Sequence, residues 1–350
     1  MLTPSLIADA QGVKSSSIVI EASSGRVLDG YNINLRLPMA STTKIVTALV
    51  VIENADINKV ITIHPKAVGI EGSSIYLKAG EKWTIKDLLY GMMLRSGNDA
   101  AMALALHVGG SVEAFSDMMN KRARKIGLAD SNFINPHGLH DDNHYTSAYD
   151  LAMLTRECMK YDIFKEIVSC KSYLFSRENV KSVFYNKNKM LKMYEGANGV
   201  KTGFTKKSGR CLVSSAIRGG MQLITVTLNI GNMWGDSMAL MNKAFQEYRM
   251  HNLLEKGDII GKANVVDSSI KSAVAISKDT VCYPLRDDEA DKISYRLQID
   301  TIKAPVSKDS EVGKLQIFLD NRLLFSVNAY TIEDINKMSA KDRFKGFFQK

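Results

Sequence analysis

Three short stretches of this chain combine residue types able to do acyl-transfer chemistry. Ser41-Thr42-Thr43-Lys44 spaces a hydroxyl and an amine three residues apart, directly before the apolar run at 45–52. On the first turn of a helix such residues share a face, with Cβ atoms about 5–6 Å apart. A serine hydroxyl becomes an effective nucleophile only when an adjacent base takes its proton. Lysine serves as that base if burial or a second cation lowers its pKa. The N–H dipoles of the helix start also favour developing negative charge. Ser96-Gly97-Asn98 falls between two apolar segments, where glycine permits a tight turn and the hydroxyl and amide can project into a cleft. Lys201-Thr202-Gly203 sits in "GVKTGFT", a strand-like run. It offers a cation, a hydroxyl and, at glycine, room for an extended peptide to pair along the strand.

Each stretch alone has an ordinary use: a helix cap, a linking loop, a strand with a solvent-facing lysine. Ser268-Ser269-Ile270-Lys271 repeats the Ser-x-x-Lys pattern in a β-rich region. On a strand, residues three apart point to opposite faces, so this copy is set aside. His137, His140 and His144 with Asp141 and Asp142 resemble a metal cluster superficially, but they lack the i, i+4 helical spacing of a zinc site, and no metal is expected.

The elements that must position these groups read as follows. "SSSIVIEASSGRVLDGYN" is a β-hairpin, and "TKIVTALVVIENADI" is a helix with almost no polar face, hence central and buried. "IKDLLYGMMLRSGNDAAMALALHVGG" reads as two helices broken at Ser-Gly-Asn. "VEAFSDMMNKRARKIGL" is amphipathic and stops at Gly127, and Ser147 with Asp150 fits a capping box for the next helix. Strand patterns "GVKTGFT", "RCLVSSAIR" and "MQLITVTLNI" follow, then the helix "WGDSMALMNKAFQEYRM". Strands flanking a helical middle indicate an α+β fold, an antiparallel sheet packed on helices. From about residue 256 to 330 short β runs alternate with polar turns, indicating a β-sandwich. The expected domains are 1–252, 256–330 and a basic amphipathic tail at 331–350, suited to an anionic membrane surface.

At 350 residues, 45% of them hydrophobic, the chain is long enough for two cores. The net charge of +9 favours anionic partners such as wall polymers or headgroups. No arginine- and aromatic-rich motif points to nucleic acid. The cysteines Cys158, Cys170, Cys211 and Cys282 show no Cys-x-x-Cys spacing, although a Cys158–Cys170 disulfide stays open. No apolar run reaches the ~20 residues that span a bilayer, and "MLTPSLIADAQG" lacks a signal-peptide pattern.

Taken in order, Ser-x-x-Lys, Ser-x-Asn and Lys-Thr-Gly form a set shared by class A β-lactamases and penicillin-binding proteins. The chain resembles the low-molecular-mass penicillin-binding proteins, the serine D-Ala-D-Ala carboxypeptidases. The likeness spans about residues 15–250 through "LPMASTTKIVTAL", "GSSIYLKAGEKWTIKDLLYGMMLRSGNDAA", "NPHGLHDDNHYTSAYDLAML" and "GVKTGFT". It implies a penicillin-binding/β-lactamase-like domain with a helical subdomain, then a small all-β domain and an amphipathic tail. It implies that Ser41 attacks the carbonyl between two terminal D-alanines and that Lys44 takes its proton. Ser96, held by Asn98, would relay a proton to the leaving amine, and Lys201 and Thr202 would receive the terminal carboxylate and bias the site electrostatically. Substrate contacts are implied at Thr202, Gly203, Phe204, Ser73 and Ser74, with the backbone N–H groups of Ser41 and Phe204 as oxyanion hole. The implied partners are peptidoglycan stem peptides and β-lactams, with no cofactor. The implied location is the outer face of the cytoplasmic membrane, for a chain whose signal peptide has been removed.

One departure stands out. Many members carry an arginine after the strand following Lys-Thr-Gly, where "NIGNMWGDSM" offers Asp236 and no arginine. A β-lactamase would need a Glu-x-x-x-Asn omega loop between Ser96 and Lys201, and none is found. A non-catalytic penicillin sensor has no need of the base at Lys44.

Overall fold

The computed structural model describes residues 14–177 and 180–339. The described residues group into one unit ending at Gln246 and a second beginning at Glu247.

In the first unit a five-stranded antiparallel sheet runs in the order Val27–Tyr31, Ser16–Glu21, Met221–Leu228, Gly209–Arg218, Ala197–Thr205. The N-terminal hairpin thus joins a meander some 200 residues later, Ser16 pairing with Leu228 and Glu21 with Leu223. Cys211, Leu212 and Val213 are consecutive and all fully buried, so the sheet is covered on both faces, and its strands lack clean alternation. The Lys-Thr-Gly strand, Ala197–Thr205, is an edge strand.

The helix Lys44–Asn54 is buried over its first eight residues, as its all-round apolar sequence requires. Ser41 precedes it on a short 3-10 turn, Ala40–Thr43. The helix Ile85–Arg95 starts at a Thr84 cap and ends on Ser96 in the left-handed region, φ 65°. Asn98–Gly109 then begins at once, which sets Ser96 and Asn98 on the break between two helices. Val112–Ile126 ends at Gly127, φ 89°, and the Ser147 hydroxyl caps Ala148–Cys158 by accepting from the Asp150 N–H. Ile163, Phe164, Ile167 and Val168 make an apolar stripe at helical spacing and fold as the helix Asp162–Ser169, and the hairpin Ser172–Arg177 with Val180–Tyr185 follows. Aromatic stacking decides this segment. Tyr173 lies on Tyr90 with centroids 3.6 Å apart, and Phe175 and Phe184 pack on Trp83.

The second unit is all-β. Its six-stranded sheet runs Ile293–Ile299, Glu311–Leu319, Arg322–Thr331, Ser272–Ser277, Ile259–Val266, Ile302–Lys303. A two-stranded ribbon, Arg249–Leu254 with Val281–Leu285, packs on it through Leu254, Val281, Leu315, Ile317 and Val327. Because Arg249–Leu254 pairs inside this unit, the division falls at 246/247 rather than at the expected 252–256. The expected tail also starts too early. Thr331 closes a strand, and Ile335 is buried and bridges to Val306. The rest of the tail, 340–350, lies outside the described residues, as does the N-terminal stretch 1–13.

Ser268–Lys271 is a turn between two strands, not a strand. Its Ser268 hydroxyl donates to the Asn336 carbonyl, so local bonding occupies it. All four cysteines are free thiols. Among the described residues no helix is long and apolar enough to cross a membrane.

Candidate active site

Ser41, Lys44, Ser96, Asn98 and Lys201 converge from three separate elements. Lys44 is fully buried, and its Nζ lies 2.9 Å from Ser41 Oγ, 2.7 Å from Asn98 Oδ1 and 2.6 Å from the His137 carbonyl oxygen. Burial, then the Lys201 charge, holds the Lys44 pKa well below the ordinary lysine value. In its neutral form the amine has two N–H donors and one lone pair. The Asn98 and His137 oxygens can only accept, so in that form they would take both hydrogens. The lone pair would then face the Ser41 hydroxyl. The orientation of the Asn98 amide is fixed from its other end, where Nδ2 donates to the Glu71 carbonyl at 2.5 Å.

Lys201 is buried as well, and its Nζ donates to Ser96 Oγ at 3.1 Å and to the Thr202 carbonyl at 3.0 Å. Burial, with Lys187 nearby, lowers its pKa to about 7. Lys187 approaches from beyond the Ser172–Tyr185 hairpin, and its Nζ donates to Ser73 Oγ at 3.3 Å. Nothing in its spacing marks it in the sequence.

The Ser41 turn is held in a conformation its residues do not prefer. Ala40 has φ 50°, a left-handed value that costs a non-glycine residue about 1–3 kcal/mol. Both threonines of the motif secure it: Thr42 Oγ1 donates to the Met39 carbonyl at 2.6 Å, and Thr43 Oγ1 to the Ala40 carbonyl at 2.8 Å. Thr43 Oγ1 therefore accepts from His144 Nε2 at 2.8 Å, while His144 Nδ1 accepts from the Ile134 N–H. These bonds select one neutral tautomer, and burial pushes the His144 pKa down to about 4. His137 is likewise pushed down, to about 3, by burial and by Lys44. These histidines brace the site, and among the described residues no group of side chains is arranged to hold a metal.

Asp99, next to Asn98, organises the facing loop. Its carboxylate accepts from the Ser74 hydroxyl at 2.6 Å and from the N–H groups of Ile75 and Leu77. The Ser74 hydroxyl thus donates inside the loop, and it accepts from the Tyr76 N–H at 2.8 Å. The Ser73 carbonyl accepts from the Asn98 N–H at 2.7 Å, so Ser73 does stand beside the cluster.

Gly203 faces the nucleophile turn. A β-carbon there would meet the Met39 carbonyl oxygen at 2.9 Å and the Ser41 nitrogen at 3.1 Å. The absence of a side chain at Gly203 thus permits that backbone approach. Strand N–H groups alternate in direction. The Thr205 N–H turns in to Ser208 Oγ, and the Arg210 carbonyl turns away to Ile230. Phe204, opposite Arg210, therefore directs its N–H outward from the free edge, beside Ser41.

A serine hydroxyl against a buried lysine amine, with outward backbone N–H groups beside it, is an arrangement suited to serine acyl transfer. The sequence profile of the D-alanyl-D-alanine carboxypeptidase peptidase family matches residues 6–232, and that of the penicillin-binding protein 5 C-terminal domain matches 248–337. The chain belongs to the D-alanyl-D-alanine carboxypeptidase family. It is 33% identical to the D-alanyl-D-alanine carboxypeptidase DacF of Bacillus subtilis, covering 92% of this chain and 86% of that protein. It is 30% identical to DacA of Escherichia coli over 88% and 80% of the two chains. Among solved structures, penicillin binding protein 5 from Haemophilus influenzae superposes with a TM-score of 0.78 at 28% identity, covering 92% of this chain and 97% of that one.

Proposed function

We propose that this protein is a serine D-Ala-D-Ala carboxypeptidase that removes the terminal D-alanine from peptidoglycan stem peptides through an acyl-enzyme on Ser41. The observation that carries the reading is the buried Lys44 amine, held by donating to two acceptors and placed 2.9 Å from Ser41 Oγ. Ser41 attacks the carbonyl of the penultimate D-alanine as Lys44 takes its proton. The oxyanion that forms faces the N–H groups of Ser41 and Phe204, an arrangement commonly contributing about 10²–10³ in rate. Ser96, in contact with Lys201, hands a proton to the departing D-alanine amine, and Thr202 and Phe204 line the path of the peptide. Water then releases the shortened peptide by the reverse relay. A β-lactam acylates Ser41 in the same way, but its leaving nitrogen stays tethered.

Fluorescent penicillin should label the wild type and leave Ser41→Ala blank, and mass spectrometry should find free D-alanine only with the wild type. Rapid penicillin turnover with no lasting adduct would indicate a β-lactamase instead, and labelling without D-alanine release a sensor.

Such a substrate lies outside the cytoplasm, and the basic, Phe-rich end at 340–350 suits an anionic membrane surface. Ile335 is part of the β unit, so the informative truncation removes 340–350 only. Loss of binding to anionic vesicles is expected, and unchanged binding would refute the anchor.

A further inference from the structure

Release of a single C-terminal residue places the substrate's carboxylate within one residue, about 3.3–3.6 Å of chain, of the bond that breaks. A cation beside Thr202 and Phe204 would complement that carboxylate. Lys201 serves poorly as a permanent counter-ion, because its Nζ is committed to Ser96 and the Thr202 carbonyl. Asp236, in the first turn of the helix Met233–Glu247, has the wrong sign.

The strand register supplies another group. Thr202 pairs with Leu212 and Phe204 with Arg210, and the pairing is regular from Gly199 to Thr205. Directly paired residues share a sheet face, as do residues two apart on one strand, so Thr202, Phe204 and Arg210 share one face. Arg210 is the diagonal neighbour of Thr202, about 7–8 Å away and within reach of a long side chain. Its side chain is exposed and makes one long bond, Nη1 to the Gly231 carbonyl at 3.4 Å, and among the described residues it has no ion pair. That single contact leaves most of the guanidinium fork open. The Thr202 hydroxyl makes no hydrogen bond among the described residues.

We propose that Arg210, with the Thr202 hydroxyl, receives the terminal carboxylate of the substrate. This assignment rests on the carboxypeptidase reading and adds the residue that makes the site select a free C-terminus. The guanidinium binds the carboxylate through paired N–H donors, a geometry lysine cannot reproduce. Lys206 and Lys207 lie on the turn beyond Thr205 and are exposed, further along the strand from Thr202.

The test compares two substrates with the same acyl group: a pentapeptide acid ending in D-Ala-D-Ala, and a methyl thioester whose leaving group has no carboxylate. Arg210→Gln should lower kcat/KM roughly 10–100-fold on the acid, chiefly through KM, as expected for losing a charge-assisted pair. It should leave the thioester nearly unchanged. Arg210→Lys should recover only part of the loss, and Lys207→Ala should change neither substrate by more than about twofold. Equal losses on both substrates would mean a structural role and overturn the proposal, as would an unchanged rate on the acid. Wild-type protein inert toward both substrates and toward penicillin would instead overturn the carboxypeptidase reading, a separate result.

Discussion

Lys44→Gln is expected to slow acylation of Ser41 by about 10²–10⁴-fold, the usual contribution of a positioned general base. Glutamine is one bond shorter but retains N–H donors of the kind that the Asn98 and His137 oxygens now accept from Lys44 at 2.7 and 2.6 Å. What it removes is the lone pair facing Ser41. The pH profile separates this loss from general damage. Only the deprotonated amine can accept a proton, so wild-type acylation rises as pH climbs through the Lys44 pKa. Burial and Lys201 put that limb well below 10.5, the ordinary lysine value. As pH rises past about 7, Lys201 loses its own proton, and the contribution of its charge to the site fades. The two lysines are coupled, so the limbs belong to the pair. Stopped-flow labelling with fluorescent penicillin across pH 5–10 reads both limbs. A Lys44→Gln protein with the wild-type ascending limb, or with more than a tenth of the wild-type rate, would remove lysine from the role of base.

Gly138→Ala should be the most damaging added methyl group among the described glycines. Gly138 has φ 87°, and a β-carbon there would lie 1.9 Å from the Ala40 carbonyl oxygen. Both partners are backbone, so no side chain can swing aside. The loop at 135–139 would have to move off the Ser41 turn. It would carry away the His137 carbonyl that holds Lys44 and the Pro136 carbonyl that accepts from Thr47. Destabilisation of about 4 kcal/mol or more is expected, at the severe end for one substitution, along with at least a hundredfold loss of acylation. Gly127→Ala is the matched control. Its φ is 89°, but nothing lies within 4 Å of the added carbon, so it should cost only about 1–2 kcal/mol for the left-handed backbone. Denaturant unfolding of the two variants side by side measures the difference. Equal midpoints would mean that the contact between loop and turn carries no weight.

These two sites mark the division between what sequence and tertiary structure each determine. Ser41, Lys44, Ser96, Asn98 and Lys201 could be singled out because three stretches, each ordinary alone, occur together in the order of a known family set. The α+β class and the separate β unit were legible because apolar periodicity is local, and so were the caps at Ser147 and Gly127. The hairpin at 172–185 was not, since its register depends on Tyr90 and Trp83, about 85–100 positions earlier in the chain. Nor were the groups that surround the Lys44 amine. The His137 carbonyl belongs to the backbone, and its residue type says nothing about which amine it will meet. Arg210 and Lys187 are ordinary surface cations until strand register and a folded hairpin bring them beside the Lys-Thr-Gly strand. The sequence by itself determined which groups are capable of the reaction. Only the tertiary structure decided their protonation and orientation, because a pKa and a lone-pair direction depend on burial and on partners distant along the chain.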